Sequence, residues 1–68
     1  MDTGKAIRVA MAMRSIQQKD LAALIGVNDS TMSTMCRGKY ASMRTMERIA
    51  NALNMKVSAL VALGEGEQ

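Results

Sequence analysis

The sequence predicts an all-α fold of five short helices around a single core. The chain has 68 residues and no proline, so its composition neither interrupts a helix nor marks a linker between domains. Apolar side chains recur at helical spacing along most of the chain, and no strand pattern is strong enough to compete. We therefore expect one domain over residues 1–63, followed by a flexible polar tail over residues 64–68.

The first helix is predicted over residues 3–14, where TGKAIRVAMAMR has the spacing of an amphipathic helix. Asp2 or Thr3 can act as its N-cap, because both side chains can accept a hydrogen bond from a backbone N–H of the first turn. Three residues are expected to form the inner stripe of this helix: Ile7, Ala10 and Met11.

A glycine turn is predicted to join a second helix over residues 18–25 to a third helix over residues 29–36. Gly26 can adopt the left-handed conformation that ends one helix and redirects the chain, and Asn28 can cap the next. Four apolar residues at i, i+3 or i, i+4 spacing form the inner faces of these helices: Leu21, Ile25, Met32 and Met35. This spacing is typical of a helix-turn-helix motif, although an ordinary helical hairpin with a glycine C-cap shares it.

Gly38 is predicted to end the third helix and to begin a loop over residues 37–42. Ser42 then caps a fourth helix that stops at Asn54. Five residues are expected on its inner face: Met43, Met46, Ile49, Ala50 and Leu53. A short fifth helix follows from a last group of apolar residues: Val57, Leu60, Val61 and Leu63.

The composition excludes several classes of function. With no histidine and a single cysteine, the chain lacks the usual ligands of a metal site, a histidine-based catalytic dyad and an intramolecular disulfide. No apolar run approaches the roughly 18 residues of a membrane span, and no secretory segment is recognisable. No nucleophile, base and pocket come together in the sequence. We therefore expect a cytoplasmic protein that is not an enzyme and that needs no metal ion or cofactor.

The distribution of charge favours an anionic partner. The whole chain has a formal net charge of +3, with nine basic and six acidic residues. Glu65 and Glu67 lie in the predicted tail, so the folded part keeps nine basic and four acidic residues, a net charge of +5. Such an excess favours nucleic acid before a membrane surface, although many small basic proteins simply carry solvated lysines.

Four blocks of sequence resemble, in order and without insertions, the lambda-repressor-like, Cro/C1-type (XRE) helix-turn-helix domains. The blocks are residues 18–22 (QKDLA), 26–27 (GV), 37–39 (RGK) and 46–54 (MERIANALN). The similarity covers the chain from about Ile7 to Leu60. It implies a compact five-helix DNA-binding domain, most similar to a phage Cro or a minimal phage or plasmid repressor.

The chain departs from this family at Met11 and Cys36, where relatives often carry an arginine and a glutamate that can form a buried ion pair. Replacing both charges is often neutral or stabilising, whereas removing one leaves the other unpaired. We therefore predict that the side chains of Met11 and Cys36 touch. Gln17 and Lys56 stand where the family usually has a Ser or Thr cap, so the second and fifth helices are expected to start loosely.

The resemblance implies that the third helix lies in the major groove with its N-terminal residues at the base edges. By position, the base-contacting residues are Asp29, Ser30, Ser33 and Thr34. Two interpretations of Asp29 stay open. Its carboxylate can accept from cytosine N4, or it can serve only the helix dipole and point away from the bases.

Phosphate contacts are expected around both ends of the motif. The residues implied are Gln18, Asn28, Thr31, Arg37, Lys39, Tyr40 and Ser42. Tyr40 has an alternative role, because its ring can instead lie over the edge of the fourth helix.

One small domain reads few base pairs, and the family solution is a two-fold dimer on a palindromic operator with half-sites roughly 34 Å apart. The apolar face of the fifth helix is the predicted dimer interface: Val57, Leu60, Val61 and Leu63. In the alternative reading three of these lie in the core and one is exposed. The homodimer is expected to be weak or induced by DNA.

The resemblance thus implies a sequence-specific transcriptional regulator whose partner is double-stranded operator DNA. A second hypothesis is a protein-interaction module, such as the antitoxin of a toxin–antitoxin pair.

Overall fold

The computed structural model describes residues 2–38 and 41–65, which form five α-helices joined by turns. The helices are α1 (Thr3–Arg14), α2 (Gln18–Ile25), α3 (Asp29–Cys36), α4 (Met43–Ala52) and α5 (Val57–Glu65). No strand occurs within these two ranges. The predicted all-α fold and the predicted bounds of the first three helices are confirmed. No helix among the described residues is long and apolar enough to cross a membrane.

Side-chain caps explain where three of the helices begin. Asp2, Asn28 and Ser42 each accept a hydrogen bond from the backbone N–H three residues later, at 3.0, 2.7 and 3.2 Å. Each bond satisfies one of the N–H groups that the first turn of a helix leaves without a partner. Gln17 precedes α2 in an extended conformation and makes no such bond, so α2 begins without a side-chain cap, as the sequence predicts.

Residues with positive φ end the helices. Gly26 follows α2 at φ 76° and Gly38 follows α3 at φ 98°, as predicted from their lack of a Cβ. Asn54 takes φ 58° just after α4, which agrees with its predicted role as a stop. Ser15 ends α1 in the left-handed region as well, at φ 54°.

The core is built from aliphatic side chains and methionines of all five helices. The largest fully buried side chains are Ile7, Leu21, Met32, Met46, Ile49 and Leu60. Met43 is an exception to the predicted inner face of α4, because its side chain is 48% exposed. It is the first residue of α4, and the core contacts of that helix begin one turn later, at Met46.

α1 packs against α3 and α5, while α4 packs against α2 and α5. Gly64 lies against the first residues of the chain, since a Cβ there would overlap the backbone oxygen of Asp2 and lie 3.1 Å from the Cβ of Ala6. α5 itself continues through Gly64 and Glu65. The expectation that the tail begins at residue 64 is therefore wrong for these two residues, and residues 66–68 lie outside the described part of the chain.

The apolar residues of α5 divide between core and surface. Leu60 has an exposed fraction of 0%, and Val57 and Leu63 are partly buried and pack against the core. Val61 is also partly buried but is not part of that packing. Leu60 is thus removed from the predicted dimer interface, because the core already covers its side chain. The alternative reading, three residues in the core and one outside it, describes α5 better.

Candidate nucleic-acid interface

The helix-turn-helix unit consists of α2, the turn at Gly26 and α3. Leu21, Ala22 and Ile25 bury the inner face of α2, while Met32 and Met35 bury that of α3. The two helices pack directly on each other, so the polar side of α3 is left facing outward. A fixed polar helix presented by a second helix is the geometry with which such motifs enter the major groove.

A hydrogen bond joins the N-terminal ends of α2 and α3. The side-chain amide of Gln18 donates from Nε2 to Oδ1 of Asp29 over 3.3 Å. This contact gives Asp29 a partner within the protein and fixes its carboxylate beside Gln18. Two residues that the sequence assigns to separate tasks, one to a phosphate and one to a base, are thus brought together in the free protein.

The outer face of α3 carries small hydroxyl side chains in two different states. Ser30 and Thr31 are exposed, whereas Ser33 and Thr34 are partly buried. The Thr34 hydroxyl donates to the backbone oxygen of Ser30 at 3.1 Å, so its proton is used within the helix. Its methyl group and oxygen lone pairs stay available to a partner.

A basic residue, Arg37, follows the C-terminal end of α3. Arg37 is exposed and donates from Nη1 to the Ser33 hydroxyl oxygen at 2.9 Å. This bond reaches back one turn and aligns the guanidinium with the outer face of α3. The Ser33 hydroxyl oxygen thus accepts a hydrogen bond from Arg37, and the contact of Ser33 with a base stays a prediction.

The other predicted phosphate contacts are placed as follows. Asn28 uses its side-chain oxygen to cap α3, which leaves its amide N–H₂ group as a donor on the exposed surface. The Ser42 hydroxyl caps α4 and lies 3.1 Å from the Thr45 hydroxyl oxygen. The predictions for Lys39 and Tyr40 fall outside the described residues.

Three arginines donate to the C-terminal ends of other helices. Arg8 donates to the backbone oxygen of Cys36, the last residue of α3, and Arg48 to that of Ile25, the last residue of α2. Arg14 donates from Nε to the backbone oxygen of Leu53, the C-cap of α4, at 2.8 Å. These carbonyl groups have no partner within their own helices, and the negative end of the helix dipole favours a cation there.

Arg48, although exposed, is thus engaged in a contact between α4 and the end of α2. Three guanidinium groups therefore each use at least one N–H group on a helix end, while all three residues stay exposed and keep their positive charge. Lys19, which the sequence reasoning overlooked, is exposed in the first turn of α2, beside Gln18. Lys19 lies next to the free N–H groups of a helix N-terminus, where a phosphate can bind. This position in the sequence could have marked Lys19 as a candidate for a phosphate contact.

Cys36 lies at the inner edge of this surface. Its side chain is buried, and burial raises the pKa of the thiol, while the nearby Arg8 guanidinium opposes that rise. Met11 packs against the core cluster to which Cys36 belongs. The direct contact between these two side chains stays a prediction.

Two open depressions lie along the outer side of α4, each about 340 Å³ in volume. Asn51 lines both, one together with Lys56 and the other together with Leu24 of α2. None of the residues predicted to contact DNA lines either depression. The candidate interface is therefore the surface of the helix-turn-helix unit.

The comparisons with known proteins agree with this geometry. Residues 6–63 of the 68-residue chain match the family model of the Cro/C1-type HTH DNA-binding domain. The match covers all of α2, α3 and α4 and most of the two flanking helices. No curated protein matches the chain significantly. Since the family model spans the helix-turn-helix unit together with the helices that support it, the chain belongs to the Cro/C1-type helix-turn-helix DNA-binding domains.

Proposed function

We propose that this protein is a sequence-specific transcriptional regulator that acts in the cytoplasm and binds a palindromic DNA operator as a dimer, with α3 in the major groove. The observation that carries the proposal is the Gln18–Asp29 hydrogen bond. It joins the N-terminus of α3 to that of α2, and the buried faces of the two helices pack on each other, so in this proposal both helices meet DNA as one unit. Rigid presentation lowers the entropy cost of placing side chains against base edges.

The base-reading residues have distinct roles in this proposal. Asp29 keeps one carboxylate oxygen on Gln18 and offers the other to an N4 amino group of cytosine. Ser30 donates to or accepts from a base edge. Thr34 offers its methyl group to a thymine methyl, because its hydroxyl proton is held by the backbone of Ser30.

Phosphate contacts supply most of the affinity in this proposal. Gln18 shares its amide between Asp29 and a phosphate, while Asn28 and Thr31 lie at the start of α3. Arg37 supplies the positive charge at the other end, with Lys39, Tyr40 and Ser42 following it along the chain. If about four phosphates are neutralised by each subunit, the log affinity of a dimer falls with log salt at a slope near −7.

Dimerisation is assigned to α5. Val61 is the centre of the proposed contact, with Val57 and Leu63 at its edge, since these side chains are only partly covered by the core. One small residue at the centre makes a weak interface. We therefore expect the subunits to associate mainly on DNA.

Selection of bound duplexes from a random pool at about physiological salt tests this function. The expected result is an enriched palindrome whose half-sites lie about ten base pairs apart. An unenriched pool, bound only through charge, would contradict the proposal.

Single-residue variants then distinguish contacts with phosphates from contacts with bases. Arg37→Ala is expected to weaken binding to all DNA sequences about equally, whereas Thr34→Ala should change the preference among selected sites. Lys56→Ala removes one positive charge next to α5 and is the matched control, expected to leave affinity nearly unchanged. Unaltered affinity in Arg37→Ala would contradict the proposed docking.

A second candidate function is a protein-interaction module, such as an antitoxin that binds its toxin. One observation favours it: the first turn of α3 carries the acidic Asp29 and no Arg or Lys for a bidentate guanine contact. This candidate would be supported over the first if the random DNA pool showed no enrichment and if the log affinity for DNA hardly changed with log salt.

A further inference from the structure

The end of α3 is held from outside by α1. Arg8 lies in the middle of α1 and donates to the backbone oxygen of Cys36, the last residue of α3. The last carbonyl groups of a helix have no N–H donor within that helix. A guanidinium is favoured there by both its hydrogen bond and its charge. The contact therefore fixes where α3 ends relative to the scaffold.

A second contact holds the same turn. Gly4 of α1 lies so close to the backbone after α3 that a Cβ on it would be 2.7 Å from the Cα of Gly38 and 3.0 Å from the Cys36 oxygen. Residues 36–38 thus contact α1 at two points, through a hydrogen bond from Arg8 and through a close backbone approach at Gly4. Both points lie in the N-terminal half of α1.

Arg37 lies between these two points. Its backbone N–H bonds to the oxygens of Ser33 and Thr34 at 3.1 and 3.2 Å, and its side chain bonds to the Ser33 hydroxyl. Fixing Cys36 and Gly38 therefore fixes the backbone from which the Arg37 guanidinium extends. A guanidinium in a set direction meets a phosphate at lower entropy cost than a freely moving one.

We propose that Arg8 is a positioning residue for DNA binding, which acts by holding the C-terminal turn of α3 so that Arg37 faces a phosphate. This inference rests on the proposed function. Arg8 itself is exposed, so a direct bond from Arg8 to DNA is the rival explanation for any loss of affinity in an Arg8 variant.

The test compares Arg8→Met with Arg14→Met under conditions where both are fully folded. Arg14 is the matched control, because it lies on the same helix and also donates to a helix end, but at α4. Arg8→Met is expected to weaken binding to the selected operator about tenfold and to reduce the salt slope by about 0.9 for each subunit, as one phosphate contact is lost. Arg14→Met should leave both quantities unchanged, and Arg8→Lys should recover part of the loss.

A double-mutant cycle distinguishes positioning from direct contact. If Arg8 acts through Arg37, then Arg8→Met should have less than a twofold effect in an Arg37→Met background. Additive losses would overturn the proposal in favour of a direct phosphate bond from Arg8, and equal losses in Arg8→Met and Arg14→Met would overturn it in favour of a general stability effect.

Hydrogen exchange supplies a readout that needs no DNA. The backbone amide of Gly38 donates to the oxygen of Met35 at 3.2 Å. Its exchange rate should be higher in Arg8→Met than in the wild type and should be unchanged in Arg14→Met. Unchanged exchange in Arg8→Met would overturn the inference. Failure of the proposed function would appear separately, as a wild-type protein that enriches no sequence.

Discussion

Gly4 lies in the first turn of α1, where the backbone that follows α3 leaves no room for a side chain. In an ordinary helix, alanine is more stabilising than glycine by about 1 kcal/mol, because glycine loses more backbone entropy on folding. Here the space that an alanine methyl group would need is occupied by the Gly38 backbone and the Cys36 oxygen. Steric overlap therefore opposes helix propensity at this residue.

Gly4→Ala is expected to lower the free energy of unfolding by about 1–3 kcal/mol, the usual cost of inserting an extra methyl group into a filled space. The measurement is urea denaturation followed by circular dichroism. Ala12→Gly is the control, because Ala12 is exposed on the same helix. This variant should lower the free energy of unfolding by about 1 kcal/mol through the lower helix propensity of glycine alone. A Gly4→Ala variant as stable as the wild type, or more stable, would show that the turn after α3 relaxes freely.

Long-range contacts of single residues are the part of the molecule that the sequence could not predict. Arg8, Arg14 and Arg48 donate to backbone oxygens 28, 39 and 23 positions away. A carbonyl oxygen is present in every residue, so an acceptor of this kind leaves no signature in a sequence. The Gln18–Asp29 bond joins two side chains 11 positions apart, and it was not anticipated because the sequence does not say which residues of different helices meet.

At the scale of the helices, the boundaries were predictable because their causes are local. Asp2, Asn28 and Ser42 cap the helix that directly follows each of them, and Gly26 and Gly38 turn the chain within their own residues. The side of each helix that faces the core was also predictable, because it depends on the spacing of apolar residues within that helix. Met43 and Leu60 were assigned wrongly because spacing gives a direction around a helix and does not say where the core ends.

α2 begins without a side-chain cap, since the Gln17 side chain makes no hydrogen bond to its first turn. Gln17→Ser is expected to raise the free energy of unfolding by about 0.5–1 kcal/mol, because a serine hydroxyl at this position can accept from a backbone N–H. Thermal unfolding measures the effect.

Asn28→Ala serves as the opposite control for the capping prediction, because it removes an existing cap of α3. It should lower the free energy of unfolding by about 1 kcal/mol. If Asn28→Ala is destabilising while Gln17→Ser changes nothing, the first turn of α2 does not need a cap, and the prediction fails.

At the scale of the whole molecule, α5 supplies the buried Leu60 to the core, and we propose that its partly buried Val61 contacts a second subunit. Val61→Lys is expected to keep the fold, to prevent two subunits from assembling on an operator and to weaken operator binding at least tenfold. Sedimentation of the protein with an operator duplex measures the number of subunits bound.

Ala59→Lys is the control for the dimer prediction. Residues 59 and 61 lie about 100° to either side of buried Leu60 around the helix, so the control adds the same charge to the opposite flank. It should leave two subunits bound. If Val61→Lys still binds as a pair, the interface lies elsewhere on the molecule.

The contact between Gly64 and Asp2 has a consequence for the path of the chain. The first and last described turns of the domain meet, so the backbone follows a nearly closed ring through the fold. A short peptide joining residues 65 and 2 would complete that ring without displacing a helix. New ends cut into the turn between α4 and α5 would then give a circular permutant with every helix intact. The helices are held by the contacts between them, and their order along the chain is only one way of connecting them.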